Sequence, residues 1–478
     1  MTAHLTTLYA GFPKKDQSRL AAIAAFSKKH LRKLRRRSGE SYLEHCSEVA
    51  ATLREASDDV ELLSVALLHD LPVHPDGKEL LIAAPLREKE KELVRQMHTL
   101  RRLHIDENTK DLDTVIDAFL EQPELLPLRM AHRVNDMRNL KRFGERLRME
   151  ISRESLHMYS AIAGRLGMHR WRVEMEDGAF PVVQPKLAEN LREHFLASSP
   201  VDTACLTQTR DYLNEEFHKH GIDAVIETRL KSLYSTYRKM VIKDRGFHEL
   251  TDRLALRIVV KNVEHCYLAL GVIHAVMRPM PGKLKDYIGA PKENGYRSIH
   301  TVVFPLPGVT EQPIEMQIRT QDMHEQCEFG SCSHGDYKHS MYALTRKPAR
   351  VNLFRNLQSL RDEASSPKQF EEALRMYFRE DHIAVFDAEN NLYHLKEPAS
   401  AMDFACLVYP KKCHRIKQIP INGRKQPVGV RLHDGDAVEV QFSRDKRSRK
   451  EWIDACFHKA TKKKLREEMR SHKTKTSV

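Results

Sequence analysis

The chain has 478 residues, enough for about three domains, with a mean hydropathy of −0.55 and a net charge of +13. Its longest apolar run, Leu62–Leu68, is far too short to cross a bilayer, and the first residues lack a secretion pattern. These features argue against a membrane protein and predict a cytoplasmic one.

The first two predicted domains differ in periodicity. Residues 1–184 predict an all-helical domain, because apolar residues recur at three- and four-residue steps in stretches such as Ser41–Ala56. Residues 185–340 begin with a helical connector and then change to a mixed α/β pattern. Strands are expected at Leu254–Val260 and Pro313–Thr320.

The C-terminal part predicts a helical linker over residues 341–380, a small β domain over 381–443 and a basic helical tail over 444–478. Within the small domain, Ile383–Leu395 predicts a β-hairpin and Val438–Phe442 a closing strand. The tail carries 13 lysines and arginines against five acidic residues. That charge favours a polyanionic partner such as RNA, or else a solvated helix face.

The segment Lys283–His300 combines cations with an aromatic ring. Lys285, Lys292 and His300 surround Tyr296 in the sequence. A phosphate-rich nucleotide needs several cationic donors and a flat surface for its base, and this segment supplies both. Taken alone, the segment could equally be a solvated basic loop.

The segment is one of five blocks that occur in a fixed order. In order and spacing they closely resemble the synthetase domain of the Rel/SpoT-homologue family, which makes the guanosine alarmone (p)ppGpp. The blocks are Thr228–Met240, Thr251–Ile258, Lys283–His300, Ile314–Thr320 and Ser333–Lys338. The resemblance implies a nucleotidyltransferase-like mixed sheet that moves the β,γ-diphosphate of ATP to the 3′-hydroxyl of GDP or GTP.

The resemblance also implies a role for each matching residue. Asp252 and Glu315 are the expected catalytic acids and Mg²⁺ ligands, and Glu315 is the candidate base near the 3′-hydroxyl. The residues expected to bind ATP are Arg229, Lys231, Lys239 and Arg257. Those expected to bind GDP or GTP are Lys285, Lys292, Asn294, Tyr296 and His300. Alternation along Ile314–Thr320 predicts that Glu315, Gln317 and Arg319 share one wall of the cleft.

The N-terminal domain resembles the family's HD hydrolase, an all-helical fold that removes the 3′-diphosphate with Mn²⁺. His45, His69 and Asp70 stand at three ligand positions, and His132 stands where the family has aspartate. This set predicts either a vestigial metal site, since imidazole binds Mn, Zn or Fe, or a retained scaffold without metal.

Two further substitutions predict that hydrolysis is lost. Val73 and His74 replace the Glu-Asp pair that follows His-Asp in the family. Without these carboxylates the domain has no obvious group to activate or orient water. Arg36 aligns with an arginine that lies beside the guanine in the family.

Residues 381–443 resemble a TGS domain, a small β-grasp module. Tyr409 stands where the family has a histidine that meets the 3′ end of uncharged tRNA. Contact with tRNA or the ribosome through this module and the basic tail is therefore expected to be weakened.

Three classes of function fit these patterns. The first is a (p)ppGpp synthetase with a degenerate hydrolase domain, and it is favoured by the Asp252/Glu315 pair. The second is a related toxin whose acceptor is an adenosine nucleotide or a tRNA end, although such relatives are generally short chains. The third is a non-catalytic RNA-binding regulator.

Overall fold

The computed structural model of the chain describes most residues of three folded units. They are residues 8–36, 38–101, 103, 109–243, 246–247, 250, 253–292, 294–304, 312–330, 357, 360, 369, 382–389, 391–410, 412–433, 435–443 and 450–475. Among the helices in these ranges, none is both long enough and apolar enough to cross a membrane.

The N-terminal unit is all-helical, as the periodicity predicts. Its helices are Lys14–Leu31 (α1), Tyr42–Arg54 (α2), Val60–Leu68 (α3), Gly77–Ala83 (α4), Glu88–Leu100 (α5), Thr109–Glu121 (α6), Leu125–Arg138 (α7), Glu145–Glu154 (α8), Ser160–Arg165 (α9) and His169–Val183 (α10).

Capping residues and apolar composition explain why the helices α2 and α3 form. Ser41 forms a capping box with Glu44 at the start of α2. Asp59 caps α3, which is almost entirely apolar and buried at the centre of the unit. The residues that follow α3, His69 and Asp70, are therefore fully buried.

The second unit is a five-stranded mixed sheet entered through one long helix, Pro185–Lys219 (α11). The strands are Ala224–Leu230 (β1), Leu254–Val260 (β2), Lys285–Asp286 (β3), Ile299–Val303 (β4) and Ile314–Thr320 (β5). The other helices are Leu233–Lys243 (α12), Val263–Val276 (α13) and Gln321–Phe329 (α14). The strand order is β1-β2-β5-β4-β3, and only the β2–β5 pair is parallel.

Strand register gives this sheet one apolar and one polar face. Side chains alternate between faces, and residues directly opposite each other share a face. Ala255 pairs with both Arg229 and Glu315, and Gln317 pairs with His300. All of these residues therefore lie on one face. The other face, with residues such as Leu256, Ile258, Met316 and Ile318, packs into the core of the unit.

The third unit has a second mixed sheet. Its strands are His382–Asp387 (β6), Leu392–Lys396 (β7), Ile416–Ile421 (β8), Arg424–Gln426 (β9), Ala437–Val438 (β10) and Gln441–Phe442 (β11), and its helices are Ala401–Val408 (α15), Lys450–Asp454 (α16) and Lys459–Lys475 (α17). The β6–β7 hairpin forms as predicted, and β10 pairs in parallel with β6. Identification of this unit as a TGS domain stays a prediction.

Two expectations for this C-terminal region were wrong in detail. The predicted strand Val438–Phe442 is divided into β10 and β11, which make separate pairings with β8. The basic tail is also not a separate element. Trp452, Cys456 and Leu465 are buried in the core of the third unit, and Asp403 accepts hydrogen bonds from the backbone of Phe457 and His458.

The predicted linker, residues 341–380, lies almost entirely outside the described residues. Leu357 is described and is buried against the N-terminal core.

Candidate functional site

A cavity of about 480 Å³ lies over the polar face of the central sheet. Its walls come from the sheet, from the loop before β4 and from the N-terminal unit. The lining residues are Gly164, Gly167, His169, Arg172, Arg229, Lys239, Gly282, Lys283, Lys285, Tyr287, Lys292, Asn294, Tyr296, His300, Val302, Glu315, Gln317, Gln326 and Cys327.

Most of the residues predicted for the nucleotide site line this one cavity. They are Arg229, Lys239, Lys285, Lys292, Asn294, Tyr296, His300 and Glu315. Lys231 does not line the cavity but is close enough to Glu315 and Lys239 to interact with both. Asp252, the predicted metal ligand, lies outside the described residues.

Arg257 and Arg319 differ from expectation. Arg257 is not on the cavity wall but forms ion pairs with Glu227 and Glu328, at 3.3 and 2.9 Å. Arg319 does not join Glu315 on the wall, because it is fully buried, with its guanidinium next to the thiol of Cys327 and the carboxylate of Glu328. Alternation along β5 predicts the face of Arg319 correctly, but it carries no information about α14, which covers this end of the strand.

Glu315, His300 and Tyr296 form a chain of hydrogen bonds inside the cavity. Nδ1 of His300 donates to Oε1 of Glu315 over 2.8 Å, and the hydroxyl of Tyr296 lies 2.6 Å from Nε2 of His300. Nδ1 carries the proton that His300 gives to Glu315, and Nε2 shares the second hydrogen bond with the hydroxyl of Tyr296. Burial raises the pKa of Tyr296, so its hydroxyl remains a donor.

Glu315 is ionised despite its burial. Burial alone would raise its pKa, but the hydrogen bond and charge of His300, together with the charges of Lys231 and Lys239, hold the pKa at about 2. An ionised carboxylate among cations and next to an open cavity has the hard oxygen that Mg²⁺ prefers. The donor chemistry of Glu315 therefore fits the expected metal.

Four cavity residues come from the N-terminal unit, and sequence reasoning missed them. Gly164, Gly167, His169 and Arg172 lie within residues 1–184, the region that the sequence predicts to be a separate helical domain. Nothing in their local pattern signals a contact with residues more than 60 positions away.

A second cluster of chemically active residues lies within the N-terminal unit. Helices α2, α3 and α7 bring the imidazoles of His45, His69 and His132 together, with ring nitrogens within 4.8 Å of one another. Nδ1 of His69 faces the carbonyl of Ala66 at 2.7 Å, and Nδ1 of His132 faces Asp136 at 3.1 Å. Such contacts orient Nε2 toward a metal in many proteins.

All three imidazoles are neutral. Burial lowers the pKa of each, to about 3 for His69, and nearby arginines act in the same direction. Neutral imidazoles can bind metal, so this cluster is a possible metal site.

Two arginines already bind two of the four predicted ligands. Arg101, which directly follows α5, forms an ion pair with the buried Asp70. Arg36 donates to Nδ1 of His45 over 2.9 Å. Because a guanidinium can only donate, the neutral His45 ring carries its proton on Nε2, 3.3 Å from Nε2 of His69. The four-ligand set implied by the family is therefore not formed, and a metal could use all three imidazoles only if Arg36 released His45.

The two positions where the resemblance implies acids do not supply a carboxylate that could take the place of Asp70. Val73 is an apolar part of the wall of a cavity of about 390 Å³ beside the histidine cluster. His74 does not line this cavity; its Nδ1 accepts from the backbone of Asp76 over 3.1 Å. Arg36, Arg101, Arg129 and Arg133 line the same cavity.

In the third unit, the ring of Tyr409 packs against that of Phe442, with centroids 5.2 Å apart. The residue at the expected tRNA-contacting position is thus part of an aromatic pair.

The N-terminal unit is helical and contains a buried histidine–aspartate cluster. The second unit is a mixed sheet with a cationic polar cavity. Together these features define an HD domain followed by an alarmone-synthetase-type domain. Family descriptions match both parts: "HD domain" matches residues 23–169, and "Region found in RelA / SpoT proteins" matches residues 228–342. The chain belongs to the Rel/SpoT family.

Curated relatives are similar over most of this chain. The bifunctional (p)ppGpp synthase/hydrolase SpoT of Escherichia coli (strain K12) is 30% identical over 452 residues, 93% of this chain and 63% of that protein. GTP pyrophosphokinase rsh of Brucella melitensis biotype 1 is 31% identical over 438 residues, 90% of this chain and 58% of that protein. A probable guanosine-3′,5′-bis(diphosphate) 3′-pyrophosphohydrolase of Synechocystis sp. is 29% identical over 442 residues, 91% of this chain and 58% of that protein. The chain thus spans about three-fifths of the length of these relatives.

Among solved structures, the small alarmone synthetase 1 from Bacillus subtilis bound to its product pppGpp is 21% identical. The match covers 36% of this chain and 100% of that chain, with a TM-score of 0.25.

The ion pair between Arg101 and Asp70 generates a prediction about metal binding. Replacing Arg101 with alanine should free the Asp70 carboxylate and raise the affinity for Mn²⁺ on the order of tenfold, equivalent to about 1.4 kcal/mol. Isothermal titration of the metal-free protein with Mn²⁺ measures this change. Arg95→Ala, an exposed residue on α5, is the matched control. Equal Mn²⁺ affinity in wild type and Arg101→Ala would contradict this account of Asp70.

Proposed function

We propose that this chain is a GTP/GDP pyrophosphokinase that transfers the β,γ-diphosphate of ATP to the 3′-hydroxyl of GDP or GTP, producing (p)ppGpp for the stringent response. The observation that carries the proposal is the convergence of eight predicted residues from β1, β3, β4, β5, α12 and the loop between β3 and β4 on one cavity. An ionised carboxylate, an aromatic ring and several cations there match the needs of phosphoryl transfer between two nucleotides.

The proposed reaction exchanges one phosphorus–oxygen bond for another. The 3′ oxygen of the acceptor bonds to the β-phosphorus as the bond between that phosphorus and the α,β-bridging oxygen breaks, and AMP leaves. The hydroxyl proton passes to a base, for which Glu315 is the candidate. Mg²⁺, when bound, would neutralise charge on the phosphates, and Asp252 and Glu315 are the residues proposed to hold it.

The cations and the aromatic ring have separate proposed tasks. Arg229, Lys231, Lys239 and Arg257 bind ATP. Lys239 and the neighbouring Lys231 lie close enough to Glu315 to affect its ionisation, so they are well placed to offset phosphate charge near the reacting centre. Lys285, Lys292, Asn294, Tyr296 and His300 bind the acceptor.

We also propose that the N-terminal domain does not hydrolyse (p)ppGpp. Val73 is apolar, His74 does not line the neighbouring cavity, and Arg101 binds Asp70. These three features leave the histidine cluster without the carboxylate pair that the resemblance implies for activating water. Other acids line the neighbouring cavity, but Asp136 faces Nδ1 of His132 and Glu154 pairs with Arg133. Contact of the third unit with tRNA or the ribosome is a further proposal, supported by its sequence resemblance and by the charge of α17.

One prediction tests the reacting centre. Replacing Glu315 with glutamine removes the charge that the cations surround, and turnover should fall by about three orders of magnitude, equivalent to about 4 kcal/mol. Conversion of ATP and GDP, GTP, AMP, ADP or a tRNA end is followed by chromatographic separation of the products. Glu264→Gln, an exposed acid of the same domain, should leave turnover unchanged.

Two results would contradict the proposal. Turnover in Glu315→Gln equal to that of wild type would overturn the site assignment. Transfer to an adenosine nucleotide or to tRNA, with none to GDP or GTP, would replace the proposed function with that of a related toxin.

Another prediction separates two proposed roles of Tyr296, stacking of its ring on the base and hydrogen bonding of its hydroxyl to His300. Removal of its ring in Tyr296→Ala should weaken GDP binding by about 1–3 kcal/mol, while Tyr296→Phe keeps the stacking surface and loses only the hydrogen bond to His300. Titration calorimetry with GDP and with a non-hydrolysable ATP analogue measures both affinities. Equal losses for the two nucleotides in Tyr296→Ala would show that the ring has a structural role instead.

A third prediction concerns hydrolysis. The purified protein should release no pyrophosphate from (p)ppGpp above background, with or without added Mn²⁺. Release that depends on Mn²⁺ and disappears in His69→Ala would overturn the proposed loss of this activity. The variant with Val73→Glu, His74→Asp and His132→Asp restores the family's acids and is the positive comparison.

A further inference from the structure

A turn of the N-terminal domain forms one wall of the synthetase-type cavity. Helix α9 ends at Arg165 and α10 begins at His169, and the turn between them contains Gly167 with a φ of +75°. A side chain at this position would be strained by the backbone conformation, and its Cβ would lie only 3.1 Å from the carbonyl oxygen of Asn294. The glycine therefore lets the turn approach the cavity loop closely.

On one side the turn holds the loop proposed to bind the acceptor. Nδ2 of Asn294 donates to the carbonyl of Gly164 over 2.8 Å, and Oδ1 of the same side chain accepts from the backbone of Tyr296 over 3.1 Å. A single amide thus connects the N-terminal domain to the backbone of the proposed base-stacking residue.

On the other side the turn holds a residue proposed to bind ATP. Nη2 of Arg229 contacts Nε2 of His169 closely, and its Nη1 donates to Oε1 of Gln317 over 3.4 Å. A guanidinium offers only donors, so Nε2 of His169 is the acceptor and the ring proton lies on Nδ1. Burial lowers the pKa of His169 well below its usual value, and the charges of Arg229 and Arg172 act in the same direction. His169 is thus a neutral acceptor that fixes the direction of Arg229.

The same domain also supports the helix that carries Lys239. Asp177 of α10 accepts from the backbone of Leu233 over 3.3 Å and of Tyr234 over 3.0 Å, in the first turn of α12. A carboxylate at this end of a helix satisfies free N–H groups and favours the helix dipole. Contacts from one domain therefore reach Arg229, Lys239 and Tyr296.

We propose that the segment Gly164–Asp177 of the N-terminal domain is a structural part of the nucleotide site, and that His169 is a positioning residue that orients Arg229 toward ATP. The proposal rests on the proposed function for the identity of the two nucleotides. It gives the N-terminal domain a task that does not depend on hydrolysis. It also predicts that the position of Nε2, rather than the presence of an imidazole, is what the site requires.

Three substitutions at this position test the proposal. Glutamine can place its amide oxygen near the position of Nε2, whereas asparagine is too short and alanine has no acceptor. A lost hydrogen bond to a charged group is worth about 1.5–3 kcal/mol, which corresponds to a roughly 10- to 150-fold change. His169→Asn and His169→Ala should therefore raise the Kd of a non-hydrolysable ATP analogue, and the KM for ATP, by at least about tenfold. In His169→Gln the Kd of the ATP analogue should stay close to that of wild type. In all three variants the Kd of GDP should change less than that of the ATP analogue. The control is His218→Gln, at an exposed histidine of α11.

A double-mutant cycle shows whether His169 acts through Arg229. If it does, adding His169→Ala to Arg229→Ala should cause no further loss of ATP-analogue affinity. Equal losses in the glutamine, asparagine and alanine variants, or additive losses in the double mutant, would overturn the proposal. Because the analogue's Kd is measured without turnover, this result stands even if wild type transfers nothing to GDP or GTP, an outcome that would refute only the proposed function.

Discussion

The parallel pairing of β2 with β5 is the constraint on which the candidate site depends. It fixes the register that sets Glu315 beside Ala255 and Gln317 beside Arg257. Because side chains alternate, a shift of one residue would turn every polar group of β5 into the core and every apolar group out of it. The apolar face packs against α13, so burial of residues such as Met316 holds Glu315 in position. The chemistry of the cavity therefore depends on packing on the opposite side of the sheet.

Much of this arrangement could be predicted from the sequence. The strands β2 and β5 and the β6–β7 hairpin have strong local patterns, and they form as expected. The cluster His45, His69 and His132 also comes together. Local patterns could not give the salt bridge of Arg101 with Asp70, because it joins the ends of two helices that are adjacent only after folding. The burial of Arg319 and the division of Val438–Phe442 likewise depend on which neighbouring element covers or pairs with a strand.

The N-terminal domain contains the histidine cluster and also contributes to the cavity of the next domain. Its histidine cluster contacts Arg36 and lies beside the ion pair of Arg101 with Asp70, while its helices pack into a large core and its C-terminal segment lines the cavity of the next domain. The domain therefore contributes backbone and side chains to the cavity of the next domain through contacts that do not involve the histidine cluster.

The most direct measurement is a crystal structure of the full chain with GDP, Mg²⁺ and an ATP analogue that cannot release its β,γ-diphosphate. The account predicts the guanine against Tyr296, the ATP phosphates beside Lys239 and Arg229, and the ribose 3′-hydroxyl next to Glu315. Guanine or ATP bound away from the polar face of the sheet, with this cavity empty, would contradict the assignment of the site.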